Sequence, residues 1–148
     1  MTLAGALVRI FWYLVKNLDK KKACEKLEKA GDLKARDEKI QELVPEWANY
    51  MIELMGNKKA TVTVFGKENI PQDSAVVFIA NHQGYLDIPV LLGYSNKQMG
   101  FIAKAEILKV PILSSWMKLM QCVFLKRNSP KQSIEAMAKG VETVKQGY

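Results

Sequence analysis

The sequence predicts an α/β protein: a mixed sheet flanked by helices, preceded by an N-terminal helical region at a membrane interface. Three observations predict it. After residue 60, short β-branched and aromatic runs bounded by turn residues recur at 61–65, 75–80, 99–103 and 122–125. Helical patterns alternate with these runs, which points to a layered sheet. Before residue 60 every pattern is helical, and the first is strongly apolar. The chain therefore divides into a helical, membrane-associating part at 1–59 and a sheet-bearing part at 60–148.

Composition narrows the classes. With 148 residues the chain holds one domain with a real core and not comfortably two. Hydrophobic residues are 49% and charged residues 25%, which is globular rather than disordered. The net charge of +7 is spread over both parts, and only Arg9, Arg36 and Arg127 are arginine. Dispersed lysines suit an anionic lipid surface or phosphate groups. They make no recognisable nucleic-acid motif, so nucleic acid is not an expected partner. Cys24 and Cys122 lie far apart, and His82 is the only histidine. Neither a metal site nor a disulfide framework follows, and a reducing, cytoplasmic compartment is the simple reading.

The first apolar segment, 3–18, lacks the basic start and small-residue cleavage site of a secretory signal. As a helix its 16 residues would span about 24 Å, short of a ~30 Å hydrocarbon core. Arg9 and Lys16 share one face, while Leu3, Leu7, Ile10, Leu14 and Leu18 lie away from it. Trp12 and Tyr13 supply interfacial aromatics. This pattern favours a helix lying in the membrane interface. A short tilted span and a helix packed on the protein's own core are the alternatives. Lys20, Lys21 and Lys22 follow directly and would strengthen attraction to an anionic leaflet. They would equally suit a solvated helix end.

Residues 19–43 are charge-rich, with a break expected at Gly31-Asp32. Pro45 is expected in the first turn of a new helix. Val44, Trp47, Ala48, Met51 and Met55 then form a helical stripe that packs on the domain, and Gly56 with Asn57 ends it.

The chain is organised around 75–92. The continuous apolar run 75–80 reads as a buried strand, and it stops at Asn81-His82. Asp87 follows five residues after His82, before a second apolar run at 88–92. Ligands and catalytic groups collect past the C-terminal ends of strands in open α/β sheets. A spacing of five puts the two side chains on diverging helix faces, so they meet only across a bend, which Gly84 allows. Asp87 could then fix the tautomer of His82 and leave its other nitrogen as a base. A capped turn or a satisfied buried pair has the same spacing.

Further on, the third strand ends at Lys104, and 106–120 is mostly helical with Pro111 starting a fresh turn. The fourth strand ends at Lys126-Arg127. Ser129 is an N-cap with Pro130 at the first helical position, and Ile134, Met137, Ala138, Val141 and Val144 form the stripe of that helix. If the strands are neighbours, His82, Asp87, Lys104, Lys126 and Arg127 converge on one edge.

Asn81-His82-Gln83-Gly84-Tyr85-Leu86-Asp87 resembles the N-H-x-x-x-x-D signature of the glycerolipid acyltransferases, and the similarity runs from about Val62 to the C-terminus. The resemblance implies transfer of a fatty acyl group from an acyl thioester to the sn-2 hydroxyl of lysophosphatidic acid (1-acyl-glycerol-3-phosphate), giving phosphatidic acid. The donor is acyl-CoA or acyl-ACP, with an acyl carrier protein as partner in the second case, and no further cofactor. His82 is implied as general base and Asp87 as its orienter. Phe124-Leu125-Lys126-Arg127 resembles the second family block, which implies phosphate binding by Arg127; Lys104 also resembles a basic family position. The substrate's hydroxyl is then the nucleophile, consistent with the missing G-x-S-x-G elbow. The implied location is the cytoplasmic face of the cell membrane. Two later family blocks, Glu-Gly-Thr-Arg and a proline-containing one, do not occur. That departure leads us to expect a C-terminally truncated member with an incomplete sheet and weak or absent turnover. The alternative is a catalytically inactive, membrane-binding fragment of such an enzyme.

Overall fold

The computed structural model describes residues 3–56, 58–126 and 128–148. It is a helix-rich α/β fold whose sheet, among the described residues, is two parallel strands. Two compact units divide the chain: residues up to Ile70 with Ile79–Lys97, and Pro71–Phe78 with Gln98–Tyr148.

The first unit contains α1 (Leu3–Lys16), α2 (Leu18–Lys29), α3 (Leu33–Met55) and α4 (Asp87–Tyr94). Gly31, at φ 78°, makes the break between α2 and α3, and the Asp32 carboxylate caps α3 by accepting from the Ala35 amide. Pro45 starts no new helix. It lies inside α3, which runs unbroken for 23 residues. A proline there costs a backbone hydrogen bond. Burial on both sides of it, at Ile40 before and Ala48, Met51 and Ile52 after, holds the helix together. The hairpin of α2 and α3 is tied by Arg36, 2% exposed, which donates to Glu28 and Asp37.

α4 packs on α3, so the 59/60 boundary suggested by composition does not coincide with the division into units. Gly93 makes the close approach: a Cβ there would lie 3.3 Å from the Ala48 Cβ. Ala48, Met51, Ile52 and Leu92 are all buried.

Two expected strands do not form. Residues 61–65 and 75–80 are irregular, and Phe65, Val77 and Ile79 are exposed. Apolar runs become strands only when neighbours complete their hydrogen-bond ladders. Among the described residues the one ladder is β1–β2.

The second unit carries β1 (Ile102–Lys104), a 3₁₀ helix (Ala105–Lys109), α5 (Pro111–Leu119), β2 (Val123–Leu125) and α6 (Pro130–Lys145). Ile102, Ala103 and Lys104 pair with Val123, Phe124 and Leu125. Pro111 starts α5, and Ser129 caps α6 by accepting from the Gln132 amide. α6 packs against β2. It buries its small residue Ala136, while Ile134, Met137 and Val141 of the sequence stripe are exposed. A three-residue strand offers room for a close, small-residue contact but cannot cover a wide apolar stripe.

Candidate active site

The sequence His82 to Asp87 folds as a tight turn that leads into α4. Asp87 is the first residue of that helix, and its Oδ2 accepts three hydrogen bonds. The His82 Nδ1–H donates at 2.7 Å, the Gln83 amide at 2.6 Å and the Gly84 amide at 2.9 Å. Asp87 therefore both closes the turn and holds the imidazole. The Gly84 amide, the His82 ring and the Gln83 amide, in that order, keep its carboxyl below the usual carboxylate range. With its proton on Nδ1, His82 presents Nε2 as the free acceptor, and the ring is 71% exposed. Such a pair can take a proton at Nε2 while the carboxylate stabilises the imidazolium.

The bend that joins His82 to Asp87 forms at Gly84 without the glycine-specific conformation. Gly84 is not among the residues with positive φ, and a Cβ there would meet nothing within 4 Å. Its contribution to the site is its amide. Asn81 is exposed at the entry to the turn.

An open cleft of about 390 Å³, mainly apolar, adjoins the turn. Gln83, Gly84, Tyr85, Leu86 and Asp87 line it together with Met55 at the end of α3. Sequence reasoning assigned Met55 to a packing stripe and missed this position. Tyr85, a 78% exposed aromatic within the motif, was the available signal.

Lys104 and Lys126 lie in the second unit. The parallel register puts both at the C-terminal end of the β1–β2 pair, each exposed. The Lys126 carbonyl accepts from the Ser129 amide and the Ser133 hydroxyl, which ties the segment after β2 to α6. Arg127 lies outside the described residues.

The residues read as a membrane face separate into two groups. Arg9, Trp12, Lys16 and Lys22 are exposed, with the Lys16 ammonium 5.9 Å from the Trp12 ring centre. Tyr13 instead stacks on Tyr50 at 4.6 Å, and burial pushes its hydroxyl pKa up. Lys20 pairs with Glu46 and Lys21 with Glu25. Of the apolar stripe, Leu14 is buried, whereas Val8 and Phe11 outside it are exposed. α1 packs on α2 and α3, with Ile10 and Leu18 half-buried. Among the described residues no helix is long and apolar enough to cross a membrane.

A protein-family model for acyltransferases matches residues 61–148, which include the whole turn and both sheet strands. The chain belongs to the acyltransferase family. It is 36% identical over 87 residues to the chloroplast 1-acyl-sn-glycerol-3-phosphate acyltransferase of Arabidopsis thaliana, covering 58% of this chain and 24% of that protein. It is 31% identical over 117 residues to a probable 1-acyl-sn-glycerol-3-phosphate acyltransferase of Mycoplasma genitalium, covering 76% and 40%. The chain thus spans well under half the length of these curated relatives. In fold it is similar to the crystal structure of the 1-acyl-sn-glycerophosphate acyltransferase PlsC of Thermotoga maritima. That likeness has a TM-score of 0.65 at 23% identity and covers 90% of this chain and 58% of that one.

Proposed function

We propose that this acyltransferase moves a fatty acyl group from acyl-CoA or acyl-ACP to the sn-2 hydroxyl of lysophosphatidic acid, giving phosphatidic acid. The observation that carries the reading is the anchored His82–Asp87 pair, with Nε2 free and the ring open to an approaching substrate. The names borne by its relatives support the same substrate class.

The chemistry follows from the pair. Nε2 of His82 takes the proton of the acceptor hydroxyl as that oxygen attacks the thioester carbon. Collapse of the tetrahedral intermediate forms the ester and breaks the C–S bond. The imidazolium returns its proton to the thiolate leaving group. Asp87 holds the ring and stabilises its charged form throughout. Arg127, at its motif position, with Lys104 and Lys126, supplies cations for the acceptor's phosphate. The protein works at the cytoplasmic face of the cell membrane, where its lipid acceptor resides.

The test is thioester-dependent acylation of lysophosphatidic acid in vesicles. His82→Ala is expected to lose on the order of 10²- to 10⁴-fold in rate. Transfer by that variant at the wild-type rate would sink the assignment. A second reading, membrane docking without turnover, is favoured by the exposed Val8, Phe11 and Trp12 on α1. Vesicle binding with no transfer from the wild-type chain selects it.

A further inference from the structure

We propose that the elbow after β1, with Leu108 and Val110 at its tip, dips into an anionic phospholipid leaflet, so that the acceptor is taken directly from the bilayer. The inference rests on the acyl-transfer reading, in which Lys104 meets the acceptor's phosphate, and adds a lipid-contact surface to it.

β1 runs straight into the 3₁₀ helix Ala105–Lys109, which ends at Val110, and Pro111 starts α5. In a 3₁₀ helix residues three apart share a face. Glu106 and Lys109, both exposed, therefore stand on one side. Leu108 falls on another side, and Val110 lies just past the last turn. These two are 42% and 44% exposed, and the exposed Pro111 follows them. One exposed apolar residue is ordinary. Here three consecutive exposed positions, 108, 110 and 111, are interrupted only by a lysine at the tip of one elbow.

The backbone of the tip is already satisfied. The Val110 amide donates to the Ile107 carbonyl at 3.0 Å, and the Val110 carbonyl accepts from the Ser114 amide at 2.9 Å. Pro111 has no N–H to satisfy. A segment that enters lipid must bring its hydrogen bonds with it, and this one does.

Charge and depth favour a leaflet over an acidic protein. Residues 98–148 hold eight basic and three acidic side chains, which suits an anionic surface. On the elbow itself Glu106 offsets Lys109, so an acidic protein helix would gain little there. The unmatched group is hydrocarbon. A leaflet offers an anionic layer with hydrocarbon beneath it. Lys104 and Lys126 lie at the same end of the strand pair. Four residues of 3₁₀ helix separate Lys104 from Leu108 by about 8 Å. Apolar groups of interfacial segments sit about 5–10 Å into the headgroup and acyl boundary. With Lys104 at the phosphates and the elbow pointing inward, Leu108 reaches the first methylenes.

A fluorophore sensitive to polarity, attached to Leu108→Cys in the full chain, tests this independently of turnover. Cys24 and Cys122 are buried, which directs the label to position 108. Its emission is expected to shift to the blue on phosphatidylglycerol vesicles. Lipids with a nitroxide high on the acyl chain should quench it more than lipids with a headgroup nitroxide. The same label at Lys139→Cys, an exposed position on α6, is expected to report water. Leu108→Glu with Val110→Glu is expected to weaken vesicle binding on the order of tenfold. Circular dichroism checks its fold, and the label at 108 decides should that variant not fold. A label that stays in water on vesicles would overturn the proposal, as would undiminished binding by the folded double variant. A blue shift with an acidic carrier protein and none with vesicles would overturn it in favour of a protein partner. Insertion at 108 without acyl transfer would leave the elbow standing and defeat the catalytic reading alone.

Discussion

Ala48 and Gly93 set how closely α4, which begins at Asp87, rides on α3. With no side chain at Gly93, α4 comes near enough that an added Cβ would sit 3.3 Å from the Ala48 methyl and 3.4 Å from the Asn49 side-chain oxygen. Asp87 is six residues before that contact, at the start of the same short helix. The position of the carboxylate is therefore decided by packing on a helix outside the family-matched segment.

Enlarging that contact tests the point. Gly93→Leu is expected to cost about 1–3 kcal/mol by overpacking. Urea unfolding measures it. Acyl transfer by the folded fraction should fall as well, since the displaced helix carries Asp87. Unchanged stability would show that α4 is seated by other contacts.

The three hydrogen bonds to Asp87 give a pH dependence with a definite sign. Its folded carboxyl titrates below the ordinary carboxylate value near ~3.9. Its contribution to stability is therefore present above that ordinary value and is lost as pH falls through the depressed folded one. The stability gap between the wild type and Asp87→Asn is expected to shrink on acidification below about pH 4. A gap that stays constant from neutral pH down to pH 3 contradicts the role given to these bonds.

Gly84 yields a prediction against intuition. The residue makes the motif's bend in a conformation open to any amino acid, with empty space where a Cβ would go. Gly84→Ala is expected to leave the fold intact and to raise stability by about 0.4–1 kcal/mol through the unfolded chain's entropy. Thermal unfolding reads this directly. Destabilisation would mean that the turn strains a side chain there.

On α1 the prediction is which face meets lipid. Phe11→Glu with Trp12→Glu is expected to abolish sedimentation with vesicles rich in anionic phospholipid, since these exposed groups are edged by Arg9 and Lys16. Trp12 fluorescence should shift to the blue on binding to such vesicles. Retained binding by the double variant would return the membrane role to another surface.

Much of the site was legible in order along the chain. The Asn81 to Asp87 signature, the stop at Gly31-Asp32 and the start at Ser129-Pro130 depend on residue type within a few positions. Local chemistry decides such features, so they survive without knowledge of neighbours. Elements that need partners were less readable. Residues 61–65 and 75–80 have strand composition, yet among the described residues nothing pairs with them. Pro45 reads as a boundary, yet buried contacts on either side carry α3 through it. On α1 and α6, periodicity identified an apolar stripe without saying which part of the surrounding surface would be covered.

Residue identity and short spacing were enough to point to the family, to the candidate pair His82 and Asp87, and to the cations that follow the strands. Packing between distant residues decided the rest: one Asp87 oxygen accepts from three donors, Gly56, Gly93 and Gly100 rather than Gly84 stand under steric demand, and Met55 joins the 83–87 turn in lining the cleft. The physical reason is the same in each case. Close contacts between residues far apart in the chain depend on how helices pack, and packing is a sum over neighbours that no single stretch contains.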